Sequence, residues 1–148
     1  MNLLSFGEII WDSYGDSYTI GGAPLNLAAH YAIQGGDAWL ASAVGNDVLG
    51  TRATEHIKAL GLKTDYVSVL DGLQTGECVV TLDEKSVPKY NILENVAYDQ
   101  ISLPVTLNQT FDVIAFGTLA LRSKQNVEAL ECILRNNTFG EIYTDLNI

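Results

Sequence analysis

The stretch that decides the fold reads Gly21-Gly22-Ala23-Pro24-Leu25-Asn26-Leu27-Ala28-Ala29-His30-Tyr31-Ala32. Two glycines precede a proline, and a run of small residues follows. Proline suits the first turn of a helix, because the amide that it lacks would have no partner there. Glycine lets a ligand approach the backbone, and Asn26 falls in the first turn, where unpaired amides favour polar or anionic ligands. The stretch predicts either a ligand-binding turn at the start of a helix or an ordinary tight turn before a packed helix.

Strand-like and helical segments alternate around this stretch. Apolar runs of strand length stand at 3–10, 39–44, 112–116 and 141–145, and helical patterns stand at 24–34, after Asp47 and after Ser123. Asp47 and Ser123 are good helix N-caps, and Gly35-Gly36 and Gly61 are typical helix ends. Such alternation predicts a parallel sheet that is covered by helices on both faces.

The alternation is interrupted between residues 67 and 95. Short strand-like runs at 67–70, 75–82 and 89–93 have no helix between them, which predicts an antiparallel patch. The run at 141–145 has the character of a central parallel strand, although no covering helix follows it. We therefore expect that the chain stops inside a fold or that another chain supplies the remainder.

Length and composition limit the possible functions. A chain of 148 residues with 47% hydrophobic and 18% charged residues is expected to form one globular domain. A net charge of -10 with scattered basic residues argues against nucleic-acid or anionic-membrane binding. No apolar run reaches the roughly 18 residues of a membrane span and no signal peptide is apparent, so we expect a cytoplasmic protein. The two cysteines lack metal-ligand spacing.

Two acidic residues stand near the first predicted strand. Asp12 follows it at the carboxyl end, where ligands of α/β sheets gather, and a carboxylate there can hold sugar hydroxyls. A loop or capping role is the alternative. Glu8 lies inside the apolar run and needs a partner if it is buried, which favours a structural role.

Residues 45–52 have the glycine spacing of a phosphate-binding P-loop. Thr51 stands where that motif needs its lysine, and Asp47 would repel phosphate, so we interpret the segment as a helix-entry turn. The dinucleotide-binding GxGxxG pattern is absent from the sequence. Asn26, His30 and Gln34 share one stripe of the predicted helix, which indicates an exposed polar face rather than a metal site.

Six short motifs follow one another along the chain. They are Gly7-Glu8-Ile9-Ile10-Trp11-Asp12, Gly21-Gly22-Ala23-Pro24-Leu25-Asn26-Leu27-Ala28, Gly45-Asn46-Asp47-Val48-Leu49-Gly50, Thr75-Gly76-Glu77, Gly117-Thr118-Leu119-Ala120-Leu121-Arg122-Ser123 and Asp145-Leu146-Asn147. In order and spacing they resemble the N-terminal half of the ribokinase-like (PfkB) carbohydrate kinases, and most of all the fructokinase-like members. The resemblance runs from Met1 to Ile148. It implies an α/β fold, a ribokinase-like αβα sandwich (here incomplete) with a small antiparallel β-sheet lid near 13–20 and 67–95.

The resemblance also implies a sugar site. The implied substrate-binding residues are Asp12, Gly21, Gly22, Asn26 and Arg122. The aspartate that matches Asp12 binds sugar hydroxyls in the family, and the glycines and the asparagine complete that pocket. Arg122 falls on a loop that would face the substrate, and Asn147 would approach the phosphate and Mg²⁺ region.

Family members use ATP and Mg²⁺, and the resemblance implies both for the complete enzyme. Their catalytic base and anion hole lie in a glycine-rich GAGD-type motif near the C-terminus, which this sequence does not contain. Residues 1–148 therefore correspond to the N-terminal part of a sugar-kinase domain, without its nucleotide-binding and catalytic part. No catalytic residue is assigned, and we expect this chain to be inactive alone, since phosphoryl transfer depends on positioning and charge neutralisation.

Three functions stay open at this point. The first is ATP-dependent phosphorylation of a sugar hydroxyl, of fructose or a related sugar, with this chain supplying the sugar-binding half. The second is a non-catalytic binding protein that forms a homodimer through the lid, because an exposed sheet edge invites pairing. The third is a nucleoside kinase of the same superfamily, whose base would stack on Trp11 or Tyr14.

Overall fold

The computed structural model describes residues 1–82, 84 and 86–146. The strands are β1 Asn2–Phe6, β2 Ile10–Tyr14, β3 Ser17–Gly21, β4 Asp37–Gly45, β5 Lys63–Leu70, β6 Gly76–Leu82, β7 Pro88–Ile92, β8 Val113–Gly117 and β9 Glu141–Asp145. The helices are α1 Ala23–Ile33, α2 Val48–Ala59 and α3 Lys124–Asn136. Asn147, the residue predicted near phosphate and Mg²⁺, lies outside the described residues. None of the helices in these ranges is both long and apolar enough to cross a membrane.

Five parallel strands form the main sheet, in the order β5-β4-β1-β8-β9. Side chains of alternating positions in β1 enter two different cores: Leu3 lies in the core under α1 and α2, and Leu4 lies in the core under α3. Strands buried on both faces read as continuous apolar runs, which is why the sequence shows them so clearly. The predicted αβα layering is confirmed.

A second sheet, here called the small sheet, contains four strands in the order β3-β2-β6-β7. The predicted antiparallel patch is wrong in two respects. The β2–β6 pair is parallel, so the small sheet is mixed. Residues 67–70 belong to β5, which pairs with β4 in the main sheet. Helix α2 precedes β5 and provides the crossover that a parallel pair requires, so the absence of a helix after β5 was misleading.

The predicted first strand, 3–10, is divided between the two sheets. β1 ends at Phe6, and Gly7 has a φ of 148°, which only glycine adopts readily. The chain then enters the small sheet at Ile10. Asp12 therefore lies inside β2 and not directly after the first strand, which corrects its predicted position. The run is apolar on both sides of the break because both strands are buried, and hydrophobic periodicity could not mark it.

The predicted helix boundaries agree with the structure within one or two residues. Asp47 is the N-cap of α2 and accepts a hydrogen bond from the Gly50 amide at 2.7 Å. Ser123 occupies the N-cap position of α3, but its hydroxyl donates to the Asp99 carbonyl at 2.6 Å and does not cap the helix. Within the described residues β9 pairs only with β8 and its five residues are exposed, so it is an edge strand here and not a central one.

Candidate functional site

The turn at Gly21 and Gly22 joins β3 of the small sheet to α1 of the main sheet. It therefore lies where the two sheets meet. Gly22 has a φ of 115°, and a Cβ there would overlap the backbone carbonyl of Glu8. The close approach that the glycine pattern predicted is therefore present at Gly22, but its partner is the protein's own backbone.

Asp12 lies beside this turn. It is exposed, and a Cβ added to Gly21 would be 3.7 Å from the Asp12 Oδ2 atom. In the small sheet Asp12 is paired with Thr19 on one side and with Cys78 on the other. Burial, and then the negative charge of Asp12, raise the pKa of the Cys78 thiol. Within 1–82, 84 and 86–146, no lysine or arginine forms a salt bridge with Asp12.

Asn26 is brought to the same junction by the first turn of α1. Its backbone N–H donates to the Gly22 carbonyl at 2.9 Å, while its side chain is exposed. His30 and Gln34, on the same stripe of the helix, are also exposed. The prediction of an exposed polar face is confirmed.

Arg122 is held by an ion pair and by a backbone carbonyl. Its Nε and Nη2 atoms donate to the two Asp99 carboxylate oxygens at 2.8 and 2.9 Å, and Nη2 also donates to the Leu93 carbonyl at 2.6 Å. The guanidinium carbon lies 5.0 Å from the centre of the Tyr98 ring. The hydrogen bonds to Asp99 raise the Arg122 pKa further.

A polar cleft of about 360 Å³ surrounds Arg122. It is lined by Glu94, Asn95, Asp99, Gln100, Ser123 and Gln125 in addition to the arginine. Contact with the glycine turn is indirect: the Tyr98 ring packs against Gly76, and Gly76 and Gly21 both pair with Ile10 in the small sheet. The structure thus brings Asp12, Gly21, Gly22 and Asn26 together. Arg122 lies in a separate cleft and has no direct contact with the glycine turn among those described.

Two residues of the junction were not predicted as site residues. Glu8 is only 2% exposed; its Oε1 accepts the Ala23 amide at 3.1 Å, and its Oε2 has no hydrogen-bond partner among the described residues. Tyr98 is fully buried, and its hydroxyl likewise has no partner there. In the sequence, Glu8 stands out as a lone acid in an apolar run, a pattern that favours a structural role.

Burial is the main electrostatic influence on both residues. It raises the Glu8 pKa, while the amides of Glu8, Ala23 and Ala120 oppose the rise and the charge of Asp145 adds to it. Burial also raises the Tyr98 pKa, and the nearby Glu8 charge contributes to that rise. Glu8 therefore lies close enough to Tyr98 for its charge to act on the tyrosine hydroxyl.

The predicted helix-entry turn at residues 45–50 is confirmed by a set of short hydrogen bonds. Asp47 Oδ1 accepts the Thr75 hydroxyl and Oδ2 accepts the Thr75 amide, both at 2.7 Å. The Gly45 amide donates to the same hydroxyl at 3.0 Å. The Asp47 carboxylate thus accepts three hydrogen bonds from the protein itself.

Of the two aromatic residues proposed to stack on a base, Trp11 is not available. It is 5% exposed, its Nε1 donates to the Leu49 carbonyl at 3.1 Å, and the Arg52 guanidinium carbon lies 4.9 Å from the centre of its ring. Tyr14 is 52% exposed. Only Tyr14 of this pair has a free face.

Comparison with solved structures shows the fold. An uncharacterized sugar kinase from Pyrococcus horikoshii superposes with a TM-score of 0.81 at 23% identity, covering 99% of this chain and 55% of that one. A fructokinase from Xylella fastidiosa gives a TM-score of 0.80 at 20% identity, covering 99% and 50%. A 2-dehydro-3-deoxygluconokinase from Thermotoga maritima gives 0.81 at 24% identity, covering 100% and 51%. The chain spans about half the length of these proteins.

Comparison by sequence gives the family. The pseudouridine kinase of Escherichia coli is 31% identical in an alignment of 93 positions, which covers 51% of this chain and 29% of that protein. The model of the pfkB family carbohydrate kinases matches residues 5–148. That match covers nearly the whole chain, including both sheets and the glycine turn between them. The chain belongs to the pfkB family of carbohydrate kinases.

Proposed function

We propose that this chain binds the sugar substrate of an ATP-dependent sugar kinase, with fructose or a related sugar as the acceptor. The observation that carries the proposal is the exposed Asp12 carboxylate beside Gly21, at the junction of the two sheets. An exposed carboxylate can accept charge-assisted hydrogen bonds from neighbouring sugar hydroxyls. The matches to sugar kinases support this class of substrate.

The other proposed contacts follow from the same junction. Gly21 is buried and Gly22 is half-buried, so any sugar contact with the turn would be made through the backbone of Gly22, and the exposed Asn26 offers an amide side chain one helical turn further on. Arg122 would act from the neighbouring cleft, and it would have to exchange a contact with Asp99 or Leu93 to reach a sugar. We therefore expect Asp12 to contribute most to affinity.

ATP is proposed as the phosphoryl donor, because the family consists of kinases and a related sugar kinase was solved in complex with ATP. Mg²⁺ binds through one or two carboxylates together with phosphate oxygens. The exposed Asp145 is one such carboxylate, but the described residues contain no group of three metal-binding side chains. These residues would hold Mg²⁺ only together with phosphate oxygens of the nucleotide. Phosphoryl transfer by these 148 residues alone is accordingly proposed to be absent.

Calorimetric titration of the 148-residue chain with fructose and ribose tests the proposal. We expect saturable binding that Asp12→Ala weakens by about tenfold or more, the effect of losing hydrogen bonds to one charged group. Asp16→Ala is the matched control, since Asp16 is an exposed acid in the same hairpin. Unchanged affinity in Asp12→Ala would contradict the assigned role. A coupled ADP-release assay with the same preparation tests the expected lack of transfer.

A nucleoside is the second candidate acceptor, favoured by the similarity to a pseudouridine kinase. Tyr14 is the exposed aromatic residue on which a base would stack. Binding of pseudouridine or uridine in place of fructose, weakened in Tyr14→Ala, would favour this candidate.

We also propose that two copies associate through the small sheet. Its outer strands, β3 and β7, have unpaired edges within the described residues, and Tyr14, Tyr18 and Tyr90 are exposed on its strands. Sedimentation equilibrium tests this directly, and a monomer at all concentrations would contradict it. A dimer that binds neither sugar nor nucleoside would favour the non-catalytic alternative.

A further inference from the structure

The connection between the two sheets carries a buried acid that the proposed sugar contacts do not use. Glu8 lies between β1 and β2, in the segment where the chain leaves the main sheet. Its Oε1 accepts the amide of Ala23, the first residue of α1. The carboxylate thus ties the exit of β1 to the start of the helix that follows the glycine turn.

The backbone around this contact is packed without clearance. A Cβ on Gly7 would lie 2.5 Å from the Pro24 Cγ atom, and a Cβ on Gly22 would overlap the Glu8 carbonyl. The Glu8 segment and the Gly22–Pro24 segment therefore touch along their backbones. Any rotation of the turn changes the geometry of the Glu8–Ala23 hydrogen bond.

The Glu8 carboxylate is retained at a cost. Its second oxygen is buried without a partner in the described residues, as is the nearby Tyr98 hydroxyl. An unpaired buried carboxylate oxygen is destabilising, so the negative charge lowers stability at this position. The charge is nevertheless well placed for the amides at the start of α1, where the helix dipole favours an anion.

We propose that Glu8 is a positioning residue: it fixes the Gly21–Asn26 segment relative to Asp12. This inference rests on the proposed function, because the segment and Asp12 are the proposed sugar contacts. Glu8 itself is buried and does not touch the sugar. It acts by holding the first amide of α1, so that Gly21 stays beside Asp12 and Asn26 stays in the first helical turn.

The Ala23 amide provides a direct measurement. The first amides of a helix have no intrahelical partner, so protection of the Ala23 amide from hydrogen exchange depends on Glu8. The Asn26 amide is bonded to the Gly22 carbonyl and serves as an internal reference. We expect Glu8→Ala to accelerate exchange at Ala23 by about tenfold or more relative to Asn26, whereas Glu8→Gln, which keeps an acceptor oxygen, retains most of the protection.

Sugar affinity is the second measurement. We expect Glu8→Ala to weaken sugar binding by about tenfold and Glu8→Gln to change it by less than about threefold, since only the first loses the hydrogen bond. Tyr66→Phe is the control for general destabilisation, because it removes partly buried hydrogen bonds with Gln109 and Asn108, none of which involves the glycine turn.

Several results would overturn the inference. One is unchanged Ala23 exchange in Glu8→Ala, and another is a loss of sugar affinity in Tyr66→Phe as large as in Glu8→Ala. If Glu8→Ala does not fold, a Glu8→Gln variant with normal Ala23 protection but affinity as low as that of Asp12→Ala would also overturn it. If the wild-type chain binds no sugar, the proposed function fails, whereas Ala23 exchange still decides whether Glu8 holds the turn.

Discussion

Glu8 and Asp47 perform the same local task in two different surroundings. Each carboxylate accepts an amide from the first turn of a helix: Glu8 accepts Ala23 of α1, and Asp47 accepts Gly50 of α2. Asp47 is partly exposed and has hydrogen bonds to both oxygens. Glu8 is buried, and one of its oxygens has no partner among the described residues.

The two carboxylates therefore differ in how completely they are hydrogen-bonded, and their pKa values differ accordingly. Burial would raise the Asp47 pKa, but hydrogen bonds from the Thr75 hydroxyl and from the Thr75, Gly50 and Leu49 amides bring it below its ordinary value. At Glu8 burial prevails and the pKa is raised. Carboxylates whose pKa is raised by burial are common at functional sites, because the position of the group matters more there than its contribution to stability. We therefore assign Glu8 to positioning of the proposed site and Asp47 to stability of the fold.

The largest expected effect is that of Gly22→Ala, which disrupts the packing of the glycine turn against Glu8. We expect a loss of about 4 kcal/mol in the free energy of unfolding, from a positive φ and an overlap with the Glu8 carbonyl. Gly35→Ala is the matched control: its φ is 88° and nothing lies within 4 Å of its added Cβ, so we expect only about 1–2 kcal/mol. Equal losses in urea unfolding would show that the Glu8 contact is unimportant.

Asp47→Ala removes the cap of α2, and we expect it to cause the second largest loss of stability. It leaves the Gly50 and Thr75 amides without their acceptor, for which we expect a loss of about 3 kcal/mol in urea unfolding. Exchange at the Ala23 amide should stay unchanged, because that amide depends on Glu8. Faster exchange at Ala23 in this variant would mean that the two caps are coupled.

Local signals explain how much of the fold could be predicted from the sequence. The cap at Asp47, the stop at Gly61 and the apolar runs of β4 and β8 each depend on neighbours along the chain, and they were predicted nearly as they occur. The break at Gly7 and the β2–β6 pairing could not be predicted. Gly7 lies between two runs that are equally apolar, and β2 and β6 are far apart along the chain.

The candidate site divides in the same way. The turn at Gly21 and Gly22 and the neighbouring Asp12 could be predicted as site residues because their motifs are local and resemble those of a known family. Cys78 and Tyr98 reach the site through cross-strand register and packing, of which a single sequence carries no trace. The Arg122–Asp99 ion pair joins two loops and was invisible for the same reason.

Glu8→Gln should show whether the ionised Glu8 carboxylate raises or lowers the free energy of unfolding. A carboxyl group whose folded pKa is raised binds its proton more tightly in the folded state, so ionisation weakens the fold. This penalty is absent below the unfolded value of 4.5, grows as pH rises through the folded pKa and is constant above it. Glutamine does not ionise, so the stability of the variant relative to wild type should increase between pH 4 and pH 8. A constant difference in urea midpoints would contradict the assignment.

Asp47→Asn should show the opposite pH dependence, with the smallest effect of the set. The folded pKa of Asp47 lies below its ordinary value of 3.8, so the stabilisation by the ionised carboxylate is fully present above that value and is lost as pH falls through the folded pKa. Asparagine has no such titration, and its cost relative to wild type should therefore shrink when the pH is lowered below 4. Because Asp47 is partly exposed, solvent screening keeps this change small. If Asp47→Asn and Glu8→Gln instead change in the same direction with pH, the two carboxylates are not distinguished by their hydrogen bonds, and the contrast between a structural cap and a positioning residue is lost.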